Sequence, residues 1–220
     1  MELREAINGR RSIRGFVQTP IPQEILRDVL EMGVRAVSAT NVQPWEFFVV
    51  TGPTLDMLRE ENIRCLLERV PFDMPDQPLS GVFDSRRRTV GKQLFAAMDI
   101  AREDKKARAE WTMRGFRFFD APAVIFICMD HLLDEKAFRL EIGSVTQNIC
   151  LAAMEHGLGT CVENQAVMFQ KPLRRRLGIP AEKNIEVGIA IGYPDQTFPA
   201  NGVVTERESL ERNVVWHGFI

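Results

Sequence analysis

Apolar and polar residues alternate along this chain with two periods. Leu3, Ala6 and Ile7 recur at helical spacing and stop at Gly9, which predicts a short helix over residues 2–8. Ile25, Leu26, Val29 and Leu30 repeat that spacing behind Pro22, a residue suited to a first helical turn, and predict a helix over about 22–36. Glu46 to Val50 is a short apolar strand ended by Gly52-Pro53, and Thr54 is placed to cap a helix running to about Arg69. Pro71, Pro75 and Pro78 make the next stretch a loop. A charged helical stretch follows from about Ser85 to Arg114, with room for an interruption. Ala123 to Met129 is continuously apolar and rich in β-branched residues, as for a strand buried on both faces. Ile142, Val145, Ile149, Leu151 and Met154 predict a helix over 134–156, ended by Gly157-Leu158-Gly159. Residues 159–162 read as a strand entry, 171–177 as a short helix and 185–193 as a strand.

Helices alternating with few short strands predict an α/β or α+β sandwich. No internal repeat or linker divides the chain, so residues 1–220 are expected to form a single domain. The tail holds Val214, Val215, Trp216 and Phe219, too much apolar surface to leave in water, so a second subunit is a plausible cover for it.

Composition narrows the function classes. A net charge of −2 gives no global basic field for nucleic acid. Basic residues form local clumps instead, at 10–14, 86–88 and 174–176. Cys65, Cys128, Cys150 and Cys161 form no C-x-x-C pair, and His131, His156 and His217 stand at no metal-ligand spacing with them, so no metal is expected. Cysteines inside apolar runs suit a reducing cytoplasm. The charged start Met1-Glu2-Leu3-Arg4-Glu5 is not an apolar secretory segment, and no stretch nears the roughly 18–20 apolar residues of a membrane helix.

Three segments hold candidate chemistry. In Arg10-Arg11-Ser12-Ile13-Arg14, extended backbone puts Arg10, Ser12 and Arg14 on one face. Two guanidiniums and a hydroxyl there suit a phosphate or the electron-rich edge of a ring; a basic helix end complementing its dipole is the plainer reading. Ser38-Ala39-Thr40-Asn41-Val42-Gln43-Pro44-Trp45 reads as a helix-to-strand connection with a buried Trp, and its small residues let backbone approach a ligand. Gly188 to Pro194 reads as a central strand with a glycine turn, followed by Thr205-Glu206-Arg207. Neither a P-loop nor a Rossmann glycine fingerprint is present. The charge run Glu103 to Arg108 reads as a solvated helix face, and Trp111, Met113, Phe116, Phe118 and Phe119 as core.

Taken in order, these segments resemble the nitroreductase family, over about residues 4 to 219. The C-terminal wording Gly-Tyr-Pro-Asp…Thr-Glu-Arg-Glu…Trp-His-Gly-Phe is most similar to its nitrobenzoate-type branch. The resemblance implies an α+β fold with a mixed, largely antiparallel sheet flanked by helices, in an intertwined homodimer. FMN would bind at the dimer interface and pass hydride from NAD(P)H, by a ping-pong route, to a small aromatic or quinone-like acceptor such as a nitroaromatic. Arg10, Ser12 and Arg207 would anchor the phosphate with Arg11 beside them, and Arg14 would stabilise the reduced ring at its pyrimidine edge. Ser38, Ala39 and Asn41 would reach the flavin of the partner subunit. The backbone of Val162, Glu163, Asn164 and Gln165 would lie behind N5 and O4. Many family members carry an aromatic or proline followed by glycines there. A charged Glu163 would oppose flavin reduction unless it points to solvent. No side chain stands out as a general acid, so no catalytic residue is assigned. The same resemblance admits a flavoenzyme of different outcome (enone reductase, dehalogenase or flavin-fragmenting enzyme) or a flavin-binding module without turnover.

Overall fold

The computed structural model describes residues 1–74, 78–133 and 135–219. The middle of the expected proline-rich loop and the expected helix start at 134 fall outside the described residues.

Helix α1 (Leu3–Gly9) is followed by α2 (Gln23–Gly33), strand β1 (Glu46–Thr51) and helix α3 (Gly52–Leu67). The cap position of α3 falls to Thr51 rather than Thr54, because Gly52 adopts a positive φ of 56° and the helix starts at once with Pro53 in its first turn. The charged stretch splits into α4 (Gly81–Ala97) and α5 (Lys105–Phe116). Asp104 caps α5 by accepting the N–H of Ala107 at 2.9 Å. Then come β2 (Ala123–Asp130), α6 (Glu135–Glu155), β3 (Gly159–Glu163), α7 (Gln170–Leu177), β4 (Lys183–Gly192) and α8 (Leu210–Asn213). Among the described residues no helix is long and apolar enough to cross a membrane.

The strands form one sheet in the order β1-β2-β4-β3, and every ladder is antiparallel. Among the described residues a parallel element enters only as the isolated bridge between Ser12 and Thr160. Strand β2 is central and buried along almost its whole length, and its period of two divides the interior. Val124, Phe126 and Cys128 face a cluster with Leu55, Leu58, Phe118 and Leu173, from the side of α3 and α7. Ala123, Ile125, Ile127 and Met129 face the other cluster, with Leu26, Val29, Val145 and Ile149 of α2 and α6. Helices therefore cover both faces of an antiparallel sheet, an α+β arrangement.

Of the aromatic stretch, Phe116, Phe118 and Phe119 are core, while Trp111 and Met113 are only half-buried. Phe116 stacks on Phe72 at 5.9 Å and packs on Phe169 at 5.6 Å; Phe118 meets Phe126 edge-on at 5.8 Å. The charge run is solvated, with Glu103, Asp104, Lys105 and Lys106 exposed, while Arg108 lies 4.0 Å from the centroid of the Phe95 ring and ties α5 to α4.

What matters for the site is the edge strand β3. Ile13 donates its N–H to the Thr160 carbonyl at 2.9 Å, and Phe16 bridges Pro194 just beyond β4. The 10–16 segment is thus laid in extended form along the rim of the sheet.

Candidate functional site

A cavity of about 350 Å³ opens where α1 ends. Residues 7–12 and Arg14 form one wall, and Val203, Val204, Thr205 and Arg207 form the other. The alternation seen in the sequence explains the first wall: Ile13 turns into the core while Arg10, Ser12 and Arg14 turn to the cavity. Arg11, off that alternation, also lines it, because its Nε is drawn across to the Asn201 carbonyl at 2.7 Å.

Four guanidiniums and a hydroxyl therefore share one opening. Arg207 bonds the Thr205 hydroxyl at 2.9 Å and the carbonyls of Thr205 and Glu206 at 3.1 Å each. Arg14 reaches the Ser12 carbonyl at 3.4 Å and lies 5.9 Å from the centroid of the Phe119 ring. Among the described residues none of these four cations is paired with a carboxylate. Concentrated, uncompensated positive charge beside open N–H donors is the chemistry of a phosphate site. The donor set fits the phosphate of FMN.

Val162, Glu163 and Asn164 lie at the far end of β3, two to four residues beyond the bridge to Ser12. Val162 is 43% exposed and Asn164 is exposed, so backbone here can be reached from outside. The Glu163 side chain does not point to solvent, one of the two placements that its sequence context leaves open. It is only 6% exposed, faces Gly188 across the ladder, and has no hydrogen-bond partner on either carboxylate oxygen. Burial holds its carboxyl well above the usual carboxylate range, against a smaller opposing pull from Arg14. Burial therefore favours the protonated form of this carboxyl and lessens the negative charge it brings to the site. Burial likewise pushes the Cys161 thiol up to about 12.

Ser38, Ala39 and Asn41 do not line this cavity. Their segment is a tight turn in which Thr40, Asn41 and Gln43 all have positive φ. It is pinned to α6 by the Ala39 N–H, which donates to Glu141 Oε1 at 3.2 Å, and closed by the Gln43 N–H, which donates to Ser38 Oγ at 3.2 Å. Gln165, next in line after Asn164, packs its amide against Gly115 of α5. Sequence reasoning missed two supporting residues, Glu141 and Asn201. Both are buried polar groups far from the segments they hold, and no local pattern marks them.

The profile of the nitroreductase family matches residues 7–193. Nitrobenzene nitroreductase of Ectopseudomonas oleovorans is 33% identical over 212 residues, 94% of this chain and 93% of that protein. The 4-nitrobenzoate reductase of Nocardioides sp. (strain LMS-CY) is 30% identical over 217 residues, 96% of this chain and 87% of that protein. The crystal structure of the FMN-dependent nitroreductase NfnB from Mycobacterium smegmatis, in complex with NADPH, superposes with a TM-score of 0.91 at 30% identity and covers 97% of both chains. End-to-end matches of sequence and fold, together with a cavity suited to a phosphate, place the chain in the nitroreductase family.

Proposed function

We propose that this protein is an FMN-dependent oxidoreductase that draws on NAD(P)H and reduces nitroaromatic or quinone-like acceptors, as a homodimer with two flavin sites. The observation that carries the reading is the cavity of four guanidiniums, free of carboxylate partners among the described residues, in a chain that matches an FMN-dependent relative solved with NADPH over nearly its whole length. FMN bound there supplies the redox chemistry, taking hydride from the reduced nicotinamide and giving it to the acceptor. Arg10, Arg11 and Arg207 bind the phosphate, with the Ser12 hydroxyl as a further donor. Arg14 places a cation where negative charge gathers on reduction. The backbone of Val162, Glu163 and Asn164 receives the ring, and burial of the Glu163 carboxyl, by favouring its protonated form, lessens its opposition to the Arg14 charge. Ser38, Ala39 and Asn41 complete the partner's site, and all 220 residues act as one domain. The four free cysteines suit the cytoplasm.

The test is anaerobic. The purified protein, reconstituted with FMN, is expected to bleach its flavin absorption on addition of NADPH or NADH and to recover it on addition of 4-nitrobenzoate. A protein that takes up no FMN, or whose bound flavin is never reduced by either nicotinamide, would refute the reading.

A further inference from the structure

The two walls of the phosphate cavity are joined by one residue. Asn201 sits in a short turn (Pro199–Gly202), buried below the cavity, with its carboxamide saturated. Its Oδ1 accepts the N–H of Arg14 at 2.7 Å and of Gly15 at 3.1 Å. Its Nδ2 donates to the carbonyls of Gly15 at 2.7 Å and Asp195 at 2.9 Å. Its own carbonyl accepts from Arg11 Nε at 2.7 Å. The seam is reinforced by the Asp195 N–H, which donates to the Gly15 carbonyl at 3.0 Å, and by Arg114, which donates to the Arg14 carbonyl at 3.1 Å. The approach is so close that a Cβ on Gly15 would stand 2.1 Å from the Phe198 ring.

We propose that Asn201 is the positioning residue of the phosphate site, fixing the Arg11–Arg14 wall against the Val203–Arg207 wall at the spacing one phosphate needs. Four like charges around one cavity repel one another, and a phosphate offers only a small target on which they can converge. A tie independent of the anion keeps the walls from drifting apart while the site is empty, so less ordering is left for the moment of binding. Only a carboxamide fills this place. An aspartate would lose both donations and set a carboxylate against two carbonyls.

The proposal rests on the cavity being the FMN phosphate site, and the experiment separates the two ideas. Dissociation constants for FMN and for riboflavin, which lacks the phosphate, are measured by flavin fluorescence in the wild type, Arg207→Ala and Asn201→Ser. The wild type is expected to prefer FMN. Arg207→Ala is expected to lose tenfold to a hundredfold of that preference, on the order of one or two charge-assisted bonds. Asn201→Ser is expected to weaken FMN by about tenfold while leaving riboflavin within twofold. A wild type without preference sinks the phosphate reading itself. A preference that Arg207→Ala lowers and Asn201→Ser leaves intact overturns the role of Asn201, as does equal loss of both ligands in Asn201→Ser. Should Asn201→Ser fail to fold, amide exchange in the wild type decides. The Arg14 and Gly15 amides, which donate to Asn201 Oδ1, are expected to be protected already in the flavin-free protein, and exchange there as fast as unstructured amides, with protection gained only when FMN binds, overturns the proposal.

Discussion

Glu163 shows how much one side chain's surroundings change its meaning. As a charged group it would oppose reduction of a flavin beside it. Buried with both oxygens unpartnered, its carboxyl is held well above the usual carboxylate range, which favours the protonated form and mutes its charge. The proton has a measurable cost. The folded chain holds it at pH values where the unfolded chain, with an ordinary carboxyl near 4.5, has released it. Folding then takes up a proton, so stability falls as pH rises above that value, by about 1.4 kcal/mol per pH unit until the folded group itself ionises. Glu163→Gln removes the titration. Its melting temperature is expected to gain on the wild type between pH 5 and pH 8, other groups cancelling in the difference. Parallel melting curves across that range would mean that the carboxyl is ionised or solvated in the folded chain.

At the scale of elements, the site depends on how β3 and β4 are stacked. Gly188 lies opposite Glu163, and a Cβ there would come within 2.4 Å of the Ala166 methyl and 3.4 Å of the Phe126 ring. The short turn that follows β3 (Gln165–Val167) is thus seated directly on β4. Gly188→Ala is expected to destabilise the protein by about 1–3 kcal/mol through overpacking. Gly91→Ala in α4, where a Cβ meets nothing within 4 Å, is expected to gain about 0.5–1 kcal/mol as a glycine leaves a helix interior. Urea unfolding of the two variants checks both signs, and a neutral Gly188→Ala would show that the turn yields without cost.

The molecule as a whole leaves a large apolar feature uncovered. Trp216 and Phe219 pack edge-on at 5.3 Å yet remain 64% and 78% exposed, at the end of a tail that begins after α8. Among the described residues the outer edge of β1 carries no paired strand either. Burial against a second subunit would stabilise each aromatic by about 1.5–3 kcal/mol. Ending the chain after Ser209 is therefore expected to weaken the proposed dimer and to release FMN with it, since Asn41 is proposed to serve the partner's site. Sedimentation run beside flavin fluorescence reads both losses. A monomer that binds FMN with full affinity would rule out shared sites.

Local signals determined a good deal. The periodicities placed every helix and strand named from them to within a few residues, because each pattern is the imprint of one buried face. The alternation of Arg10, Ser12 and Arg14 about Ile13 was legible for the same reason: extended backbone sends neighbouring side chains to opposite sides. Arg207 could be attached to that group only through the family resemblance, since nothing local links positions so far apart. Tertiary structure alone decided the rest. Asn201 and Glu141 resemble any polar residue until the fold buries them against distant backbone amides. Whether Glu163 meets solvent or the site is open in the sequence until β4 and the turn behind it bury the carboxyl and raise its pKa. A sequence states which groups are present; their charge and reach depend on solvent and neighbours, which exist only after the chain has closed on itself.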